Sequence, residues 1–276
     1  PGRPRHPGGR RRRSDDPARG GRRLKPPVLI LSGGRGTRLR EHTESLPKAL
    51  VEVGGKPLLW HVVSIYAAQG FTEFHPLVGY LGEMVDQFAS NETWPEGVTV
   101  QCLDTGLDTP TGGRLKMAGG VAGSGTFCAT YADGVADIDL DALLDFHSGN
   151  GATATMTAVR PDLPWGVAEI DDRQLVRGFH EKPRSENWIN GGFFCFEQDL
   201  FDHLDSDSVL EREPLEALAS EGRLAAYRHE GFWDCMDTYK DLVELNDLWA
   251  REEAPWLSAE SRAAALAPEE DGEVPL

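Results

Sequence analysis

The stretch "PPVLI" runs into "LSGGRGTRL", and the residue types at that junction suit one kind of chemistry. Gly33, Gly34 and Gly36 let the backbone approach a ligand closely and adopt φ values that other residues resist. Thr37 adds a hydroxyl, and Arg35 and Arg38 add fixed positive charge. A glycine-rich loop that leaves a strand and opens a helix presents unpaired N–H groups and the positive end of the helix dipole to an anion. The combination is suited to phosphate. It is not a P-loop, because Thr37-Arg38 stand where Lys-Ser/Thr must follow the last glycine. It is not the dinucleotide fingerprint either, because Leu39 occupies the place of the third glycine.

Five further stretches carry groups able to do chemistry. "TPTGGR" offers the hydroxyls of Thr109 and Thr111, the bare backbone of Gly112 and Gly113 and the cation of Arg114, a set able to hydrogen-bond the edge of a base. A plain glycine turn is the alternative. In "YADGVADID", Asp133 ends a predicted strand, where it is either a ligand-side carboxylate or a turn residue. The acids Asp137, Asp139 and Asp141 suggest a calcium loop, but Ala142 in the sixth position and Ser148 in the twelfth exclude it, which leaves caps and solvated charge. "FHEKP" contributes Glu181 and Lys182, "INGG" contributes Asn190 and Gly191, and Gly166 precedes them. His180 reads as a packing residue, and Trp233 as a core aromatic by default, with a pocket wall as the alternative. In "GFWDCMDT", Asp237 is either a ligand-side carboxylate or the N-cap of the last helix.

The elements that must position these residues alternate. "VLILS" (28–32), "FHPLVGY" (74–80), "GVTVQCLD" (97–104), "GTFCATYAD" (125–133) and "ATATMTAV" read as strands. Pro76 counts against a central place for the second of them. Helical spacing over "PLLWHVVSIYAAQG", "EMVDQFAS" and "DLDALLDFHSGNG" separates them, with Asp139 as cap of the last. Strand alternating with helix predicts an α/β, doubly wound, mostly parallel sheet, whose ligands sit beyond the carboxyl ends of the strands. After residue 160 the pattern changes. "GVAEIDDRQLVRGFHEKP" predicts a hairpin turning at Asp171-Asp172, followed by a strand, helices and one more strand, a more antiparallel part sharing the same sheet. The expected organisation is a domain over 26–257, with a nucleotide-type half at about 26–160 and a more antiparallel half at about 161–257.

Charge is divided unevenly. The net charge is −17 overall, yet residues 1–25 hold ten basic and two acidic residues. The acidic remainder repels nucleic acid and leaves at most a weak contact through the basic arm. That arm lacks apolar residues to pack and is expected to be disordered, as is the tail 258–276. No apolar run is long enough to span a membrane, and the N-terminus carries no apolar signal region. The four cysteines, Cys102, Cys128, Cys195 and Cys235, lie far apart and read as reduced thiols of a cytoplasmic protein.

The longer string "LSGGRGTRLREHTESLPKALVEVGGKPLLWH" resembles the signature of the sugar-1-phosphate nucleotidyltransferases: Gly-Gly-x-Gly-Thr-Arg-Leu, then Pro-Lys, then Gly-x-Pro ahead of a His. "LDTGLDTPTGGRLK", "YADGVADID", "FHEKP", "INGGFF" and "GFWDCMDT" follow in the order of its bacterial glucose-1-phosphate cytidylyltransferase branch, so the resemblance spans roughly residues 27–257. It departs in the short connection "ASNETWPEG" and in Ala132, where the branch carries Gly.

The resemblance implies the Rossmann-like fold of nucleotide-diphospho-sugar transferases, with an antiparallel hairpin on the sugar side. It implies that CTP and α-D-glucose 1-phosphate are joined to give CDP-glucose and pyrophosphate, with Mg²⁺ as cofactor and a homo-oligomeric assembly; the alternatives are the same chemistry with dTTP, UTP or GTP or another hexose 1-phosphate, and a non-catalytic nucleotide-sugar sensor. By the same resemblance Leu31, Ser32, Gly33, Gly34, Arg35, Gly36, Thr37 and Ala132 join Thr109 to Arg114 around the nucleotide. Arg38, Lys48 and Lys182 act on the phosphates, and Gly166, Glu181, Asn190 and Gly191 line the sugar. Asp133 and Asp237 are the metal ligands.

Overall fold

The computed structural model describes residues 24–36 and 45–266. Thr37, Arg38 and nearly all of the basic arm lie outside the described residues.

The strands are β1 (Val28–Leu31), β2 (Glu52–Val53), β3 (Lys56–Pro57), β4 (Glu73–Val78), β5 (Thr99–Val100), β6 (Leu103–Asp104) and β7 (Phe127–Tyr131). They continue as β8 (Gly134–Ala136), β9 (Ala154–Val159), β10 (Val167–Ile170), β11 (Val176–His180), β12 (Ile189–Phe196), β13 (Leu224–Arg228) and β14 (Trp233–Cys235). The helices are α1 (Leu58–Ala67), α2 (Gly82–Asn91), α3 (Thr111–Met117), α4 (Leu140–Asn150), α5 (Glu213–Ser220), α6 (Tyr239–Ala250) and α7 (Ala259–Leu266).

β1 explains the architecture. All four of its residues are buried. Val28 and Ile30 feed one core cluster, while Leu29 and Leu31 feed the other. An unbroken apolar run of this kind belongs to a strand covered on both faces. The main sheet runs β13-β9-β12-β7-β1-β4-β5, with β6 also beside β4. β1 pairs in parallel with β4 and β7. β12 is the exception, lying antiparallel between β7 and β9. A strand from the second half of the chain therefore completes the sheet begun by the first half. The hairpin β10–β11 stands apart as its own two-stranded sheet.

Two sequence expectations need correction. Pro76 sits inside β4, opposite Ile30 of β1. It is accommodated because the outer neighbour is broken: β5 pairs with Glu73-Phe74, β6 pairs with Leu77-Val78, and the gap falls at His75-Pro76, where proline has no N–H to donate. In the tail, residues 259–266 form α7 rather than an unstructured end. Arg262 ties that helix back, donating to the carbonyl oxygens of Glu252 and Ala254.

Local signals set the helix starts. Asp139 caps α4 by accepting from the Ala142 N–H. Thr238, not Asp237, is the N-cap of α6: its hydroxyl accepts from Asp241 N–H while the Asp241 carboxylate accepts from Thr238 N–H. That frees the Asp237 side chain for another role. Among the described residues no helix is long and apolar enough to cross a membrane, and all four cysteines are free.

Candidate active site

The opening loop leaves β1 at the carboxyl edge of the sheet and is braced from below. The guanidinium of Arg114, on α3, donates to Gly33 O at 3.0 Å, to Val78 O at 2.9 Å and to the Thr105 hydroxyl. The residue is only 4% exposed. Burial lowers its pKa from the usual value, and the nearby charge of Asp104 opposes that shift. Sequence reading offered Arg114 as a cation for the base, but its side chain is a brace under the phosphate loop that also reaches the cleft wall. The glycines answer to the same packing. A Cβ on Gly33 would lie 2.1 Å from the guanidinium, and one on Gly113 would lie 2.1 Å from Ser206 O. Gly112 is likewise pressed against Ser208.

The loop, the start of α3 and the end of β7 enclose a cleft of about 440 Å³. Leu31, Ser32, Gly33, Gly34, Gly36, Thr109, Thr111, Arg114 and Ala132 all line it, so most of the predicted nucleotide residues come together. Arg35 points elsewhere, pairing with Asp108 at 3.0 Å and lying over the Tyr80 ring.

At one end of this cleft three charged side chains meet. Lys48, on the 3₁₀ turn Lys48–Leu50, places Nζ 2.6 Å from Asp133 Oδ2 and 2.8 Å from Asp237 Oδ1. Asp133 follows β7, and Asp237 follows β14, which pairs with β8 just beyond Asp133. Burial acts to lower the Lys48 pKa, but the Asp133 charge and the hydrogen bonds that the ammonium donates to both carboxylates outweigh it, so the pKa is raised and the ammonium persists. A cation thus sits between two carboxylates. These are the oxygen donors a hard divalent ion requires. Cys235 brings its sulfur within 4.8 Å of the same carboxylate oxygens. Burial, and then the charges of Asp133 and Asp237, push this thiol well above its ordinary range, so it stays protonated and adds no anionic ligand.

A second cleft, of about 720 Å³, opens on the other side of Asp237, which lines both. Lys182 reaches it from the end of the hairpin, with Trp233 and Asp234 in its wall. Lys182 has φ +46°, a left-handed conformation unusual for a side chain, and makes no ion pair among the described residues. Trp233 packs against the core on one side and forms a wall of this cleft on the other, and its Nε1 donates to Gly191 O at 2.7 Å. Gly166 packs against Phe179 and Glu181 on the hairpin. His180 is corrected from a packing residue to an exposed one, 3.4 Å from Glu169, because β10–β11 has no layer covering it.

Two groups that sequence reading missed join the clefts. Tyr131 lines the first, and Glu211 bridges Tyr131 and Thr111. The place of Tyr131, two residues before Asp133, was the available signal; Glu211 gave none. The signature His is structural: His61 is fully buried, with Nε2 at 2.9 Å from Val53 O and Nδ1 accepting from Trp256 Nε1 at 3.2 Å.

The family model for nucleotidyl transferases matches residues 27–252. A glucose-1-phosphate cytidylyltransferase of Salmonella typhi is 40% identical over 256 residues, covering 83% of this chain and 98% of that protein. One from Salmonella typhimurium (strain LT2) shows the same identity and coverage. Among solved structures, a UDP-glucose pyrophosphorylase complexed with UDP-glucose superposes with a TM-score of 0.66 at 16% identity, covering 83% of this chain and all of that one, a likeness of fold. With a family match over most of its length, relatives at 40% identity and a shared fold, the chain belongs to the nucleotidyl transferase family.

Proposed function

We propose that the chain is a glucose-1-phosphate cytidylyltransferase, joining CTP and α-D-glucose 1-phosphate to give CDP-glucose and pyrophosphate. The observation that carries this reading is the convergence of Lys48, Asp133 and Asp237 where two clefts meet. One cleft has the wall of a nucleotide site, and the other holds a lysine, without an ion pair among the described residues, for a second phosphate. The kinship with cytidylyltransferases supports the choice of base and sugar.

The reaction needs an oxygen of the sugar phosphate to attack the α-phosphorus of the triphosphate in line with the departing pyrophosphate. Both reactants are polyanions, so the protein's work is charge screening and alignment, with no covalent intermediate required. The backbone of the 33–36 loop offers amides to the triphosphate. Lys48, held in its protonated form, brings a full charge to bridge phosphate oxygens. Arg38, assigned from the sequence, neutralises charge growing on the leaving group. Lys182 holds the sugar phosphate in the second cleft. Asp133 and Asp237 would hold a divalent cation, Mg²⁺ by their oxygen chemistry, which when bound neutralises phosphate charge between the two substrates.

A grid of triphosphates against sugar 1-phosphates, read by pyrophosphate release with Mg²⁺ present, tests the reading. Release is expected only when all components are present and most rapidly with CTP and glucose 1-phosphate. Absence of release with every triphosphate overturns it, and a preference for another base overturns the assignment of CTP.

A further inference from the structure

Glu211 lies in the turn that leads into α5, remote in sequence from the motifs that line the clefts. Its carboxylate accepts two hydrogen bonds, from the Thr111 hydroxyl at 2.7 Å on Oε2 and from the Tyr131 hydroxyl on Oε1. Each hydroxyl also accepts one. Leu210 N–H donates to Thr111 Oγ1 at 2.9 Å, and the Asn190 amide donates to Tyr131 Oη at 3.2 Å. Asn190 is itself oriented, because its Oδ1 accepts from Gly192 N–H at 2.8 Å.

A hydroxyl has one proton and two lone pairs. With its proton committed to Glu211 and one lone pair to a neighbour, each hydroxyl offers a ligand in the cleft only an acceptor. A carboxylate cannot donate, so neither proton can turn toward the ligand while Glu211 holds it. Thr111 and Tyr131 both line the nucleotide cleft.

We propose that Glu211 is a positioning residue that fixes Thr111 and Tyr131 as acceptors for hydrogen-bond donors on the nucleoside of the triphosphate. This rests on the functional reading above. Two donors on CTP share that chemistry, the exocyclic amine of cytosine and the ribose 2′-hydroxyl. UTP replaces the amine by a carbonyl oxygen, an acceptor that would face an acceptor. dCTP lacks the 2′-hydroxyl.

The isosteric variant Glu211→Gln separates polarity from packing. Its carbonyl can still accept from one hydroxyl, but its NH₂ must donate to the other, whose proton then turns toward the ligand. Glu211 is exposed, so the variant is expected to fold with an unchanged thermal midpoint. Steady-state kinetics with CTP, UTP and dCTP, at saturating glucose 1-phosphate and Mg²⁺, should show KM for CTP rising about fivefold or more, with kcat within about twofold, the size of one lost hydrogen bond. If the amine is the donor read, the CTP-to-UTP preference narrows and KM for dCTP rises in parallel with that for CTP. If the 2′-hydroxyl is read, the CTP-to-dCTP preference narrows instead. Combining Glu211→Gln with Thr111→Val and Tyr131→Phe should add little to the effect of the last two alone, because Glu211 acts through them.

A KM for CTP within about twofold of the parent value, against the change of one hydrogen bond, overturns the proposal. So does an equal shift for all three triphosphates, which marks a structural role, or a fall confined to kcat. A parent protein that uses no triphosphate overturns the functional reading itself, whereas a working parent with an indifferent Glu211→Gln overturns the proposal alone.

Discussion

The two clefts that meet at Asp237 are built in opposite ways. The nucleotide cleft is an extension of the core. Its floor is the end of β1, its loop is pinned by a buried guanidinium, and its glycines are sites of close packing as much as of ligand approach. The second cleft takes Lys182 from the end of a hairpin that shares no sheet with the core, and its ion pairs are half-buried or exposed, with Arg160 and Arg184 gathered around Glu230 at 3.0 and 3.4 Å. Damage to the first should therefore cost binding and folding together. Damage to the second should cost function alone, because exposed ion pairs contribute little to stability.

The most severe test acts where the clefts touch. Asp133→Asn keeps the side-chain volume but removes half of the charge that draws a cation between the substrates. Turnover is expected to fall by about a thousandfold or more, as for the loss of a principal electrostatic group in a water-poor site, with a thermal midpoint close to the parent's. Equal rates of pyrophosphate release in variant and parent would remove the carboxylate pair from the mechanism. Next in size is Arg114→Met. It strips hydrogen bonds from three buried acceptors at once and should lower stability in urea by about 3 kcal/mol, while raising KM for the triphosphate. An unchanged unfolding midpoint would break the contrast, since the brace would then be dispensable to the fold.

How far the sequence foretold this depends on the distance over which each signal acts. β1, α1, the cap at Asp139 and the hairpin at Asp171 were legible because their causes are local: an apolar run, a 3.6-residue spacing, a carboxylate within reach of nearby amides. Asp133 was legible because a strand end fixes where its carboxylate lies. Cys235 was not, because only the pairing of β14 with β8 brings it beside Asp133. Arg114 was legible as a cation but not in its direction, since nothing local says whether a guanidinium faces a ligand or two carbonyl oxygens and a hydroxyl beneath a loop. Glu211 was invisible, being a hundred residues from Thr111. His180 was misjudged because whether a side chain is covered depends on which layer packs over it, and the hairpin has none.

His61 sharpens the core side of the comparison through pH. Burial holds its pKa down to about 4 from an ordinary 6.5, against weaker opposing hydrogen bonds to backbone carbonyl oxygen. Below 6.5 the unfolded chain takes up a proton at this site that the folded chain refuses. Stability from this group is therefore complete above pH 6.5 and is lost as pH falls toward 4, by about 3 kcal/mol across the window. Unfolding free energies of the parent and of His61→Gln, compared from pH 7.5 to 4, should converge as pH falls. A constant gap between the two curves would mean that the imidazole is not held neutral by its burial against Trp256.

The smallest effect belongs to the second cleft. Lys182→Ala removes the charge offered to the sugar phosphate and should raise KM for glucose 1-phosphate by about tenfold, leaving KM for the triphosphate and the unfolding midpoint in place, as expected of one exposed charge-assisted contact. Lys182→Gly makes the contrast finer. At φ +46° a side chain costs about 1 kcal/mol that glycine does not, so this variant should lose the same affinity for the sugar phosphate yet match or exceed the alanine variant in stability. If both variants unfolded early, or if KM for the triphosphate rose with that for the sugar, the second cleft would be as tightly joined to the core as the first, and the division of labour between them would have to be abandoned.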